Sequence, residues 1–154
     1  MKQLEGRWYL DNSPFNGTAV SCYADGTIAE RITYLAGKKE GPAFKWYDNG
    51  VQRRQAFYKS NKLDGTLKTW WPNGSLSTES NYVLGIKQGY QKKWYPNGQL
   101  SRLTHLVNGR EEGMQQAWLK NGKLYVNYEA RNGRTFGLRK AKLCYELEDE
   151  IVQR

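Results

Sequence analysis

Gly65-Thr66-Leu67-Lys68-Thr69-Trp70-Trp71-Pro72-Asn73-Gly74-Ser75-Leu76 decides how this chain is read, because it returns at a fixed interval. Twenty-four residues on stand Gly89, Trp94-Tyr95-Pro96-Asn97-Gly98 and Leu100, and after the same step again Gly113, Trp118, Asn121-Gly122 and Leu124. Backwards, the register gives Gly41 with Trp46-Tyr47-Asp48-Asn49-Gly50, then Gly17 with Cys22-Tyr23, Asp25-Gly26 and Ile28. With each unit counted from its leading glycine as position 1, fifteen of the sixteen glycines fall on positions 1, 10 and 21. Unrelated glycines would scatter, so the chain is a repeat array.

Each full unit carries two short stretches of strand character separated by two turn signals. The first stretch runs into Asp-Asn-Gly, Pro-Asn-Gly or Lys-Asn-Gly, where a type I turn with a left-handed glycine closes a hairpin. The second alternates in residue type and ends at Asn108-Gly109 or Asn132-Gly133. No helical period survives more than a few residues. A single hairpin is marginal in water, so each unit depends on its neighbours. The expected fold is all-β: an elongated antiparallel meander of stacked hairpins, one repeat domain spanning 1–154. Within it, 1–16 reads as the back half of a unit, 17–136 as five full units, and 137–154 as an atypical cap and tail.

Closing the hairpin sets position 6 against position 12. Trp70 then faces Leu76, Trp94 faces Leu100 and Trp118 faces Leu124, a ladder on one face that is expected to act as core. Val51-Gln52 weakens it in the second unit. Position 7 (Tyr23, Tyr47, Trp71, Tyr95) points to the opposite, wetter face. These rings read first as structural and second as a ligand groove.

The formal net charge is +9. Four of the fifteen acids (Glu146, Glu148, Asp149, Glu150) crowd the last nine residues, so 1–145 holds 23 bases against 11 acids. An anionic partner follows from that balance, and a merely solvated surface is the alternative reading. The acidic tail either blunts the last strand edge or forms a short helix. No apolar run is long enough for a membrane span. Cys22 and Cys144 lie nearly five units apart, so free thiols are expected.

Gly37-Lys38-Lys39-Glu40-Gly41, relaxed in Asn61-Lys62-Leu63-Asp64-Gly65, Gly109-Arg110-Glu111-Glu112-Gly113 and Gly133-Arg134-Thr135-Phe136-Gly137, resembles the MORN repeat. With the Trp-Tyr-x-Asn-Gly-x-Leu element interleaved, it is similar to the variant repeat of bacterial YwqK-type antitoxin-like proteins. The third unit departs with Gly85-Ile86-Lys87, its base moved one place. The resemblance covers about residues 4–143. It implies strings of hairpins acting as recognition or scaffolding modules toward phospholipid or protein, and the antitoxin label implies neutralising a secreted toxin. The motif itself defines no binding residue. Some similar proteins are exported lipoproteins, so the reading is a periplasmic or cell-surface location if a leader was removed ahead of residue 1, and a cytoplasmic one otherwise.

No catalytic site, metal site or cofactor is read from the sequence. His105 is the one histidine and has no ligand-spaced neighbours, the glycine-rich segments are hairpin turns without a phosphate-loop pattern, and Glu111-Glu112 lie in a turn. Nucleic-acid binding ranks third, because the bases scatter over turns and both faces. The leading reading is a non-catalytic recognition or scaffold module for a protein partner or an anionic membrane or envelope surface, with an antitoxin as the alternative. The candidate contacts are Lys38, Lys62, Arg110 and Arg134 at the second turn and the rings of Tyr47, Trp71 and Tyr95 at the first.

Overall fold

The computed structural model describes residues 1–138, which form two antiparallel sheets; no helix occurs among the described residues. The small sheet comprises β1 (Lys2–Leu4), β2 (Arg7–Leu10) and β3 (Ser13–Pro14). The large sheet contains β4 (Gly17–Cys22), β5 (Ile28–Leu35), β6 (Lys38–Trp46), β7 (Gln52–Lys59), β8 (Lys62–Leu63), β9 (Gly65–Trp70), β10 (Leu76–Val83), β11 (Ile86–Trp94), β12 (Leu100–Val107), β13 (Arg110–Glu111), β14 (Gly113–Trp118), β15 (Leu124–Arg131) and β16 (Arg134–Leu138). The order across it is β4-β5-β6-β7-β9-β10-β11-β12-β14-β15-β16, an uninterrupted meander, with the two-residue β8 paired to β7 and β13 to β12. This is the meander that the paired turn signals predict.

The first turn sets the hairpin register. In the second unit the Tyr47 amide donates to the Val51 carbonyl and the Gly50 amide to the Tyr47 carbonyl, at 2.8 and 3.0 Å, and Gly50 sits at φ +80°. The same pair recurs in all five units. Position 6 meets position 12 as expected: Trp46 with Gln52, Trp70 with Leu76, Trp94 with Leu100 and Trp118 with Leu124. Position 5 then pairs with position 14, so position 13 is an extra residue, a β-bulge that bends the strand just past each turn.

The second turn places positions 20 and 21 both at positive φ, for example Asn108 at +50° and Gly109 at +77°, which is the primed geometry whose twist suits a two-residue hairpin. The unsatisfied amide of position 20 is capped from the preceding unit by the side chain at position 24. Glu40 accepts from Ser60, Asp64 from Leu84 and Gln88 from Asn108, at 2.7, 3.0 and 2.7 Å. A second bulge makes these caps reachable, since positions 24, 1 and 2 oppose the single residue at position 17.

Alternation along the strands puts positions 3, 5, 14, 16 and 18 on one face and positions 4, 6 and 15 on the other. All the buried side chains of the array lie on the first face: Ala43, Gln91 and Gln115 at position 3, Ala117 at position 5, Ile32 and Ala56 at position 16, and Tyr34, Leu106 and Ala130 at position 18. The expectation that the tryptophan ladder forms the core is therefore corrected. The pairing is as predicted, but Trp46, Trp70, Trp94 and Trp118 are only half-buried. The physical reason is the single layer: among the described residues no second sheet or helix covers the tryptophan face, whereas on the other face the small sheet covers Tyr34 and the alanines sink between their neighbours. In the second unit, where Gln52 replaces leucine, Phe44 stacks on Trp46 with ring centroids 5.9 Å apart and the Arg31 guanidinium lies over the indole at 5.7 Å.

The strands of residues 1–14 pair among themselves instead of continuing the register onto β4, whereas Phe15 and Asn16 keep it, the Phe15 carbonyl accepting from the Gly37 amide at 2.8 Å and Asn16 Oδ1 from the Ala36 amide at 2.7 Å. The small sheet docks on the first unit, with Trp8 and Phe15 against Tyr34 at 6.4 and 5.7 Å between ring centroids. The contact is close at Gly37, where a Cβ would stand 2.6 Å from the Trp8 carbonyl oxygen. Cys22 is an exposed free thiol. Cys144, the acidic run and the cap-or-helix reading of the tail lie outside the described residues.

Candidate binding surface

The rings named at the first turn are struts between units. The Tyr23 hydroxyl donates to the carbonyl of Trp46, Tyr47 to that of Trp70 and Tyr95 to that of Trp118, at 2.7, 2.9 and 3.0 Å, and the Trp71 indole N–H donates to the Trp94 carbonyl at 3.2 Å. Each bond runs from position 7 to position 6 of the next unit. The turn asparagine adds a second link. Asn73 accepts from the Ser75 amide through Oδ1 and donates through Nδ2 to the Pro96 carbonyl, and Asn49 and Asn97 repeat the pattern. Asp25, with no amide donor, keeps only the bonds within its turn, accepting from the Thr27 hydroxyl at 2.7 Å and the Thr27 amide at 2.9 Å. These hydrogen bonds hold the Asp25 carboxyl below its ordinary pKa.

Lys38, Lys62, Arg110 and Arg134 lie along the opposite turn edge, each at the residue after the second turn. Units recur every second strand, so Lys38 and Lys62, and likewise Arg110 and Arg134, stand about 10 Å apart along the sheet, while Ile86 holds the place in the third unit and leaves about 20 Å between Lys62 and Arg110. Arg110 and Arg134 come together in one open groove of about 550 Å³, bounded also by Glu111, Glu112, Asn132 and Thr135. The acids there are engaged: Glu111 accepts from the Tyr128 hydroxyl at 2.8 Å, and Glu112 from the Asn132 amide at 3.4 Å. None of the four bases makes an ion pair among the described residues. Strands separate this row of bases from the row of rings, so the sequence-named candidates form two edges and not one site.

A third set, not singled out from the sequence, emerges at positions 5 and 14. Cross-strand pairing lines up Glu30, Lys45, Arg54, Thr69, Thr78, Lys93 and Arg102 in one row across the array. Glu30 neutralises Lys45 at 2.8 Å. Arg54 donates to the Tyr58 hydroxyl at 3.1 Å, and the Tyr58 ring also carries the Lys39 ammonium at 5.3 Å. Lys93 and Arg102 stand directly opposite each other, and among the described residues no acid is paired to either. Register counting could have found this row, because positions 5 and 14 carry bases in the second and fourth units; the bulge at position 13 hides that the two positions are partners.

Like charge opposite like charge is a recurring arrangement. Lys45 faces Arg54, Lys59 faces Lys62, Lys93 faces Arg102 and Arg131 faces Arg134, while no acid faces an acid among the described residues. Glu30 offsets the first pairing and Glu129, 2.7 Å from Arg131, the last, whereas an uncompensated pairing opposes folding by a few tenths of a kcal/mol, up to about 1. The face that carries Lys93 and Arg102 also carries Tyr34 and Tyr82. Burial pushes both phenols above their ordinary pKa, the Glu30 charge adding to the effect at Tyr34 and Arg54 opposing it at Tyr82.

Among the described residues no group of three or more His, Cys, Asp and Glu side chains is placed to hold a metal ion, and no helix is long and apolar enough to cross a membrane. A search of curated proteins finds no significant match to the chain. Two adjacent units, residues 63–83 and 87–108, match the MORN repeat variant family.

Proposed function

We propose that this array is a non-catalytic recognition scaffold that holds an anionic surface by many weak contacts, through the Arg54, Lys93 and Arg102 row and the Lys38, Lys62, Arg110 and Arg134 edge. The observation that carries the reading is the opposition of Lys93 and Arg102. An uncompensated like-charge pair in mid-sheet weakens the fold, and an incoming anion between the two would reverse the sign of that effect. Charge over the array points the same way, with seventeen bases against seven acids in residues 37–138. Repeats of the matched family serve binding or scaffolding and are generally non-catalytic.

The anionic surface can belong to a membrane or to an acidic protein, including a toxin of the kind the YwqK-type label names. Co-sedimentation with phosphatidylglycerol vesicles at low and high salt tests the membrane case. Exposed contacts are screened beyond a Debye length of about 8 Å at physiological salt, so binding should fall steeply as salt rises. Arg54, Lys93 and Arg102 changed together to Gln should weaken binding, as should the four edge bases changed together, with no single residue dominant. Vesicle binding that ignores salt and survives both sets would contradict the electrostatic reading.

A further inference from the structure

β4 is the terminal strand of the large sheet. It pairs with β5, and among the described residues no strand meets its outer edge. The equivalent strands inside the array receive the back strand of the preceding unit there, as Gln91 receives Ser80 and Lys93 receives Thr78. The residues holding that place in the register turn away into the small sheet instead. An open edge offers a row of unpaired N–H and C=O groups, and proteins ordinarily blunt it with charge, proline or a bulge. Thr18-Ala19-Val20-Ser21-Cys22 has neither charge nor proline, and Val20 is 51% exposed.

Charge selects what can approach this edge. Residues 1–36 hold three bases and four acids, whereas residues 37–138 hold seventeen and seven. Two copies of a chain at +9 repel one another across most of their surface, and this end is where the repulsion is least.

We propose that β4 pairs antiparallel with β4 of a second copy, about a two-fold axis perpendicular to the sheet at Val20, so that two arrays join into one continuous sheet. Such an axis keeps directly opposed residues on the same face. Val20 meets Val20, Ala19 meets Ser21 and Thr18 meets Cys22, an arrangement with no opposed charges and a β-branched pair at its centre. The contact is isologous and closes after two copies.

Sedimentation equilibrium over a range of protein concentrations tests this with the full chain. The wild type should show a concentration-dependent monomer–dimer equilibrium. Val20→Lys places two ammonium groups opposite each other and should raise the dimer dissociation constant at least about tenfold, with an unchanged circular dichroism spectrum. Val83→Lys, at a valine 55% exposed inside the array, should leave the dimer intact. In a Cys22→Ser, Cys144→Ser background, Val20→Cys should crosslink to itself on oxidation and Val83→Cys should not. A wild type that stays monomeric throughout, or a Val20→Lys variant that dimerises like the wild type, overturns the proposal.

Discussion

The phenol of Tyr95 donates a hydrogen bond of 3.0 Å to the carbonyl of Trp118, tying the first turn of one unit to the strand end of the next. Tyr95→Phe keeps the ring and removes only this bond. It should lower the unfolding free energy by about 0.5–1.5 kcal/mol, read as a shift in urea midpoint at constant slope. A variant as stable as the wild type would mean that the ring alone holds the two units together.

Asn73 separates the two jobs of the turn residue. Asn73→Asp retains an acceptor for the Ser75 amide but replaces the donor to the Pro96 carbonyl with a carboxylate oxygen. Loss of one bond and the apposition of two acceptors should destabilise the chain by about 1–3 kcal/mol at neutral pH. Protonating the new carboxyl at low pH should restore part of that loss. Thermal midpoints of variant and wild type, compared at neutral and acid pH, give the answer.

Trp94→Ala should be milder than a core truncation. A fully buried large side chain is worth about 1.5–3 kcal/mol relative to exposure, and Trp94 is half-buried, so a loss of about 1–2 kcal/mol is expected. Trp71→Ala removes both half-buried area and the bond to the Trp94 carbonyl, and should cost at least as much. Equilibrium denaturation of the two variants side by side checks the order.

Tyr34 and Tyr82 make stability sensitive to alkali. Their folded pKa values are raised, chiefly by burial, so the stability they contribute is fully present below the ordinary tyrosine value near 10 and is lost as pH rises through the folded values. Phenolate absorbance titration should show late-ionising groups, absent in a Tyr34→Phe, Tyr82→Phe variant. That variant's thermal midpoint should fall less than the wild type's above about pH 10.

Spacing carried the fold because each recurring residue has one local task. Gly50 and its equivalents read directly as turns, and Trp94 opposite Leu100 follows from turn length alone. Burial did not follow, since the sequence shows rings but not whether a second layer exists to cover them. Tyr47 and Asn49 were legible as residue types suited to a turn, but their bonds to the next unit depend on how units stack. Lys93 and Arg102 are not legible as partners in the sequence because a bulge sets their pairing. Residues 1–16 match the register in sequence, and Asn16 caps Ala36 as that register requires, yet the strands before it pair with one another and bring Trp8 onto Tyr34.

An open array keeps its two ends far apart, and their separation tests the fold most directly. Spin labels at Thr18→Cys and Thr135→Cys, in a Cys22→Ser, Cys144→Ser background diluted with unlabelled protein, report the distance between β4 and β16. Eleven successive strands lie from one to the other. Ten steps of roughly 4.8 Å predict a distribution near 45–50 Å, somewhat shortened by twist. A distance below about 25 Å would mean that the sheet closes on itself, and would contradict both the array and the open edge.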